Sequence, residues 1–380
     1  MKFIRNSILF ISILLLCSSC ALVLNFNDLP EPKGQYIVGT DLFVWEDSYR
    51  DEWFTKDKID SRKIVVQIWY PASEKSDSLY PYMDYKELRI QAISEQINQP
   101  KVLIKPATKV EGNSYFKAPL VDGQFPLILF SHGLGGYKTQ NSINIETLVS
   151  HGYIVIAPDH TYDANITAFP DGSVAEYKSD LPKDYSDQEF WDNRLPQLNT
   201  RATDLSFIID KLQTMKQNPL YYAIEFDKIG VFGHSFGGAT SIVSSWNDTR
   251  ISACLNLDGW LVPVVDEIIN TGLKIPFCYI GQEEWIKTPL NYEKLDKFYK
   301  NSNSDSFILK IKGTRHHDYA DLPHFSSLGR KMMSGKNVDK EFTKRISNSI
   351  LGFFNDYLKD DSYNWTESII LNYETSIQFK

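Results

Sequence analysis

The residues with the clearest chemical potential lie in Lys228-Ile-Gly-Val-Phe-Gly-His-Ser-Phe-Gly-Gly-Ala-Thr240. Gly233-His-Ser-Phe-Gly237 is a G-x-S-x-G pattern set between a short apolar run, 229–232, and an amphipathic stretch. The strand–turn–helix context gives the pattern its meaning, because a serine on such a turn stands exposed and rigid beside groups that can activate it. Glycines belong at both flanks, since a side chain there would meet neighbouring backbone. The following helix turns its positive end toward the place where an oxyanion would develop. Ser235 is the expected nucleophile.

A serine nucleophile needs a base, and the base needs an orienting carboxylate. On this kind of turn they follow in the order Ser, then Asp or Glu, then His. His316, His317 and His324 all follow Ser235. The last strand-like run, 307–311, leads through Gly313 into Thr314-Arg-His-His-Asp318, so the base is expected in that loop. His324, beyond Pro323, is expected on the surface or in a lid. Adjacent His316, His317 and Asp318 do not converge on one ion without distortion, no zinc spacing occurs, and neither metal nor cofactor is expected. For the acid, Asp258 ends one strand-like run in Leu255-Asn-Leu-Asp-Gly-Trp260, and Glu283 or Glu284 ends the next in Gly281-Gln-Glu-Glu-Trp285. Residue order leaves both open. One oxyanion N–H should come from Phe236, and the other from the glycine-rich loop His132-Gly-Leu-Gly-Gly136. His132, His151 and His160 are expected to be structural. Trp260 suits either a pocket wall or plain packing.

These residues need a frame that holds them at strand ends. Strand patterns fall at 62–70, 125–130, 153–157, 229–232, 253–257, 277–280 and 307–311. Helical periodicity falls at 85–97, 144–151, 195–215, 239–246, 292–299 and 341–358. Such alternation predicts a mostly parallel central sheet with helices on both faces. Its functional residues then lie at the carboxyl ends of the strands. Residues 21–60 carry only weak strand signals. The stretch 73–123 leaves the sheet, and the acidic stretch 161–195 is read as a loop over the active-site face; both are lid-like insertions. The tail from Asp361 has no clear pattern.

The chain has 380 residues, 42 % of them hydrophobic and 23 % charged, which suits an ordinary globular protein. A net charge of −8 argues against a nucleic-acid partner. At the N-terminus, Lys2 and Arg5 precede an apolar run, 8–16, too short to span a bilayer, and then Ser18-Ser-Cys-Ala21. This resembles a lipoprotein-type signal peptide over residues 1–20, with a lipid on Cys20 holding residues 21–380, a single catalytic domain, at a bacterial membrane surface after export. Cys17 stands where such signals usually carry leucine, which leaves open an ordinary secretory peptide cut near Ser19. Cys254 and Cys278 lie in apolar runs and read as buried thiols, with a disulfide between them left open.

Phe130-Ser-His-Gly-Leu-Gly135, Ser150-His-Gly-Tyr-Ile-Val-Ile156, Gly233-His-Ser-Phe-Gly-Gly-Ala-Thr240, Leu257-Asp-Gly-Trp260 and Gly313-Thr-Arg-His316 together resemble the plasma-type platelet-activating factor acetylhydrolase family. The resemblance runs from about Arg62 to Leu328 and implies an α/β-hydrolase fold. It implies Ser235, Asp258 and His316 as the triad, and Leu134 with Phe236 as the oxyanion donors. It implies calcium-independent removal of short sn-2 acyl groups from phospholipids. Alternatives within the fold are a general short-chain carboxylesterase, a polyester or dienelactone-type hydrolase, an acyltransferase or a peptidase. An alternative of another class is a hydrolase-fold binding protein without catalysis.

Overall fold

The computed structural model describes residues 26–56, 60–359, 361 and 364–380. The proposed leader, with Cys17 and Cys20, lies outside them. The strands are β1 (Ile37–Asp51), β2 (Ser61–Ala72), β3 (Leu79–Pro81), β4 (Glu111–Phe116), β5 (Phe125–Ser131) and β6 (Ile154–Asp159). They continue as β7 (Ile166–Ala168), β8 (Val174–Glu176), β9 (Ile224–His234), β10 (Ile251–Leu257), β11 (Phe277–Gln282), β12 (Ser306–Ile311) and β13 (Thr375–Phe379). Eleven form one sheet in the order β13-β12-β11-β10-β9-β5-β6-β2-β1-β4-β3, and β7-β8 is a separate hairpin.

From β12 to β6 the neighbours run parallel, which brings the ends of β5, β9, β10, β11 and β12 to one edge. The apolar runs explain why these strands form and stay central. Ile128, Leu129, Val231, Phe232, Leu255 and Ile280 are fully buried, as expected for strands covered on both faces. On one face the helices Asp187–Thr214 and Phe236–Asn247 contribute Leu205, Ile208, Ile209, Ala239 and Ile242. On the other, Ser142–Ser150 and Phe342–Leu358 contribute Ile145, Leu148, Ile346 and Ile350. Cys254 packs into the first cluster and Cys278 into the second, so these free thiols face opposite sides of the sheet. Among the described residues no helix is long and apolar enough to cross a membrane.

The structure departs from the pattern reading in four places. The weakly patterned entry segment is a long strand, β1, paired antiparallel with β2 along its length. The insertion 73–123 rejoins the sheet, with β4 parallel to β1 and β3 antiparallel to β4. Its helix Lys86–Gln96 docks through buried Arg89, which bonds Asp84 and Asp159 at 2.6 Å each, while Lys138 also pairs with Asp84. Burial opposes the Asp84 charge, but Lys138 and Arg89 prevail and hold its carboxyl well below the usual range. The tail contributes β13, antiparallel to β12 at the sheet edge.

The fourth departure concerns 161–195, which is not one loop. It contains the β7-β8 hairpin and the first two turns of the helix Asp187–Thr214. Ser186 starts that helix by accepting from the Glu189 N–H, and the Glu189 side chain bonds the Ser186 N–H in return. Pro196 lies inside the helix without ending it.

Candidate active site

β9 ends at His234 and the helix Phe236–Asn247 begins at Phe236, so Ser235 alone makes the turn. Its φ of 59° and ψ of −120° lie in a region that ordinary residues avoid. Such a conformation costs of order 1–3 kcal/mol and persists only where surrounding structure imposes it. Here the Ser235 N–H donates to the Leu257 carbonyl at 3.0 Å, and the Trp260 N–H donates to the Ser235 carbonyl at 2.9 Å. The flanking glycines are steric requirements. A Cβ on Gly233 would collide with the Gly237 carbonyl, and one on Gly237 with the Ser131 carbonyl.

The loop after β12 brings His316 Nε2 to 2.8 Å from Ser235 Oγ. Its Nδ1 lies 2.7 Å from Asp258 Oδ2. An ionised carboxylate only accepts, so Nδ1 carries the proton and Nε2 is left to accept from the serine hydroxyl. His316 remains partly open to solvent while Asp258 is fully buried. Asp258 follows β10 directly, with a φ of 43° that aspartate tolerates better than most residues.

Four donors besides His316 hold that carboxylate. Oδ1 accepts from the Tyr279 hydroxyl at 3.0 Å, the Gln282 N–H at 3.0 Å and Trp285 Nε1 at 3.1 Å. Oδ2 accepts from Gln282 Nε2 at 2.9 Å. Burial, with the Asp258 charge alongside, pushes the Tyr279 phenol well above its ordinary value, so it stays a donor. The Trp285 indole also stands edge-on to His316, centroids 5.0 Å apart. Of the carboxylates that the residue order left open, Asp258 is the one in contact with His316, while Glu283 and Glu284 are exposed. The segment that holds them matters for its neighbours, Gln282 and Trp285. A carboxamide and an indole carry no pattern that would have singled them out in the sequence.

The loop after β5 passes close to the nucleophile, since a Cβ on Gly133 would lie 3.3 Å from Ser235 Cβ. Among the described residues, neither the Leu134 nor the Phe236 N–H has a hydrogen-bond acceptor. Both are thus free to receive an oxyanion, and the Phe236 N–H opens a helix. The loop itself is pinned from below. The Gly135 N–H donates to the Asp163 carbonyl at 3.1 Å, and the Asn165 N–H donates to that of Gly136 at 2.9 Å. Buried Arg201 bonds the His132 carbonyl and lies 5.1 Å from the Phe236 ring centroid.

The other histidines take supporting places. His160 is fully buried between Ser131 Oγ at 3.0 Å and Asp204 Oδ2 at 2.8 Å, and burial lowers its pKa to about 4. His132 Nδ1 lies 2.6 Å from the Gly133 carbonyl, and its Nε2 accepts from the His160 N–H. His151 Nδ1 meets the Thr147 carbonyl at 2.8 Å. His324 is half-buried, with its Nε2 2.8 Å from the Asp28 carbonyl. Asp318, beside the base, accepts the Arg315 and Gly335 N–H groups at 2.6 and 2.9 Å and so closes its own loop. Trp260 packs against Phe190 and Phe236, with centroids 5.8 and 5.9 Å away. The start of the helix Asp187–Thr214 is thereby seated beside the elbow.

Residues 23–375 match the family model described as platelet-activating factor acetylhydrolase, isoform II. The chain belongs to that family. It is 26 % identical over 367 residues to platelet-activating factor acetylhydrolase of Cavia porcellus, covering 87 % of this chain and 78 % of the other. To the enzyme of the same name from Canis lupus familiaris it is 29 % identical, covering 77 % and 68 %. A protein of Arthroderma benhamiae named probable 1-alkyl-2-acetylglycerophosphocholine esterase is 29 % identical over 56 % of this chain and 54 % of its own. Among solved structures, ferulic acid esterase from Streptomyces cinnamoneus superposes with a TM-score of 0.74 at 23 % identity, covering 93 % and 99 %. That likeness shows the α/β-hydrolase fold. The chain is a carboxylic-ester hydrolase of the acetylhydrolase family.

Proposed function

We propose that this chain removes short acyl groups from the sn-2 position of phospholipids, with Ser235, His316 and Asp258 as its triad. The observation that carries the proposal is the unbroken contact from Ser235 Oγ through His316 to Asp258 Oδ2, at 2.8 and 2.7 Å. Ser235 Oγ attacks the ester carbonyl carbon while its proton passes to His316 Nε2. The carbonyl oxygen becomes an oxyanion between the N–H groups of Leu134 and Phe236. Collapse breaks the bond to the glycerol oxygen, which leaves with the proton from His316. Water then attacks the acyl-Ser235, His316 takes its proton, and the acid departs as Ser235 recovers its hydrogen. The choice of a phospholipid, and calcium independence, follow the family; a chelator tests the latter.

The experiment is turnover of 4-nitrophenyl esters from acetyl to dodecanoyl by protein beginning after Cys20. Activity highest on acetyl and falling along the series is the expected result. A maximum at long chains would contradict the short-acyl reading. A folded protein inert toward every ester would favour a binding role.

We further propose that residues 1–20 hold a lipoprotein-type signal cut before Cys20, that 21–380 act as one catalytic domain, and that Cys20, then the first residue, carries a lipid after export. The support is the charged start, the short apolar run and Ser18-Ser-Cys-Ala21. Cys20→Ala should move the full chain out of the membrane fraction; an unchanged distribution would refute the anchor.

A further inference from the structure

Besides Asp258 after β10, three segments build the site: 133–136, the elbow, and the loop after β12. A single chain of hydrogen bonds joins all three. The Gly133 N–H donates to Gln140 Oε1 at 2.9 Å. Gln140 Nε2 lies 2.9 Å from His234 Nδ1. His234 Nε2 lies 2.9 Å from the His316 carbonyl oxygen. The two ends set the polarity, because an N–H only donates and a carbonyl only accepts. His234 therefore carries its proton on Nε2 and accepts at Nδ1. The carboxamide turns its oxygen to Gly133 and its NH2 to His234.

That polarity requires a neutral imidazole. Burial, reinforced by nearby His316 and His317, pushes His234 well below its ordinary value. Its ring packs 4.7 Å from that of His316, so a neutral partner adds no like charge when His316 takes up a proton. The Gln140 backbone extends the brace. Its carbonyl accepts the Asp321 N–H at 3.2 Å, and next to it Asn141 Nδ2 donates to the Tyr319 carbonyl at 2.8 Å. The base loop is thus gripped at His316 and again at 319–321.

The geometry points to Gln140 and His234 as positioning residues that set the Leu134 N–H and the His316 imidazole relative to Ser235. One peptide separates Gly133 from the Leu134 N–H, so releasing Gly133 re-aims that donor. A displacement of about 1 Å in such a site costs on the order of 100-fold in rate. The inference rests on the reading of Ser235 as the nucleophile.

Gln140→Leu, similar in volume but without polar atoms, tests it on 4-nitrophenyl acetate. The expected result is a kcat lower by roughly 10- to 100-fold with KM within about threefold. Gln140→Glu should restore most of that loss. Its neutral carboxyl can accept from Gly133 through the carbonyl oxygen and donate its O–H to His234 Nδ1, so the chain re-forms with His234 still neutral. Should Gln140→Leu lose its thermal transition, Gln140→Asn, too short to span both partners, carries the same expectation. Native kcat in Gln140→Leu or Gln140→Asn would overturn the role, as would a loss that Gln140→Glu does not recover. Ser235→Ala is run alongside. Turnover that survives in it sinks the nucleophile reading itself, whereas Ser235-dependent turnover with native kcat in the Gln140 variants sinks the positioning role alone.

Discussion

Replacing Ser235 by alanine lowers kcat on short-chain esters by roughly 10⁴- to 10⁶-fold and leaves the fold intact. The size of the loss follows from the chemistry. Without Oγ there is no acyl-enzyme, and what remains is binding and an oxyanion hole acting on water. Retention of the fold follows from the contacts. Among the described residues the Ser235 hydroxyl bonds only His316, while the turn is held by backbone bonds to Leu257 and Trp260 that alanine keeps. Steady-state kinetics beside a thermal melt separates the two effects. Retention of more than a hundredth of native kcat, with contaminating esterase excluded, would remove Ser235 from the mechanism.

Asp258→Asn is expected to cost about 10⁴ in kcat, the loss seen when a triad histidine is held in the wrong tautomer. The surroundings dictate which way the new amide must face. Oδ1 receives the Tyr279 hydroxyl, the Gln282 N–H and the Trp285 indole, three donors that demand an oxygen. The NH2 of asparagine is therefore forced into the Oδ2 position, pointing at His316 Nδ1. Gln282 can turn its own carboxamide to present an oxygen there, so nothing opposes that orientation. His316 must then accept at Nδ1 and carry its proton on Nε2, facing Ser235, where it cannot take another. Rates of organophosphonate labelling at Ser235 report this step directly and should fall in parallel with kcat. Near-native labelling in the variant would show that Asp258 does not set the tautomer.

The candidate nucleophile was legible because the requirements of its turn are local. Two glycines, an apolar strand and a helix start occupy one short stretch, and the collisions that a Cβ would cause at Gly233 and Gly237 make that pattern obligatory. The candidate base was legible from its place after the last parallel strand. The acid was less so, since Asp258 and the Glu283–Glu284 pair both end strands, and only the packed structure shows which side reaches His316. Gln140 was invisible. It lies in a polar run, Lys138 to Ser142, and its place in the proposed brace comes from meeting Gly133 and His234, a coincidence that no local pattern records.

The fold shows the same division between local and distant causes. Strands buried on both faces announce themselves as apolar runs, which is why the parallel centre of the sheet was readable. β1 and β13 lie outside that centre, and their mixed residues carry little signal without the partners β2 and β12. The helix Asp187–Thr214 begins earlier than its apolar period because Ser186 and Glu189 cap each other in an acidic stretch. That capping signal was present in the sequence. It was masked by the charge around it and by Pro196.

The most direct test is the release of acetate from 1-alkyl-2-acetylglycerophosphocholine by the native chain, measured with and without a calcium chelator. Its sn-2 palmitoyl counterpart and the Ser235→Ala variant are run in parallel. Chelator-insensitive release of acetate that depends on Ser235 and far exceeds release of palmitate is the predicted result. Rapid Ser235-dependent turnover of simple esters with no cleavage of the acetyl phospholipid would contradict the phospholipid reading and leave a general short-chain esterase.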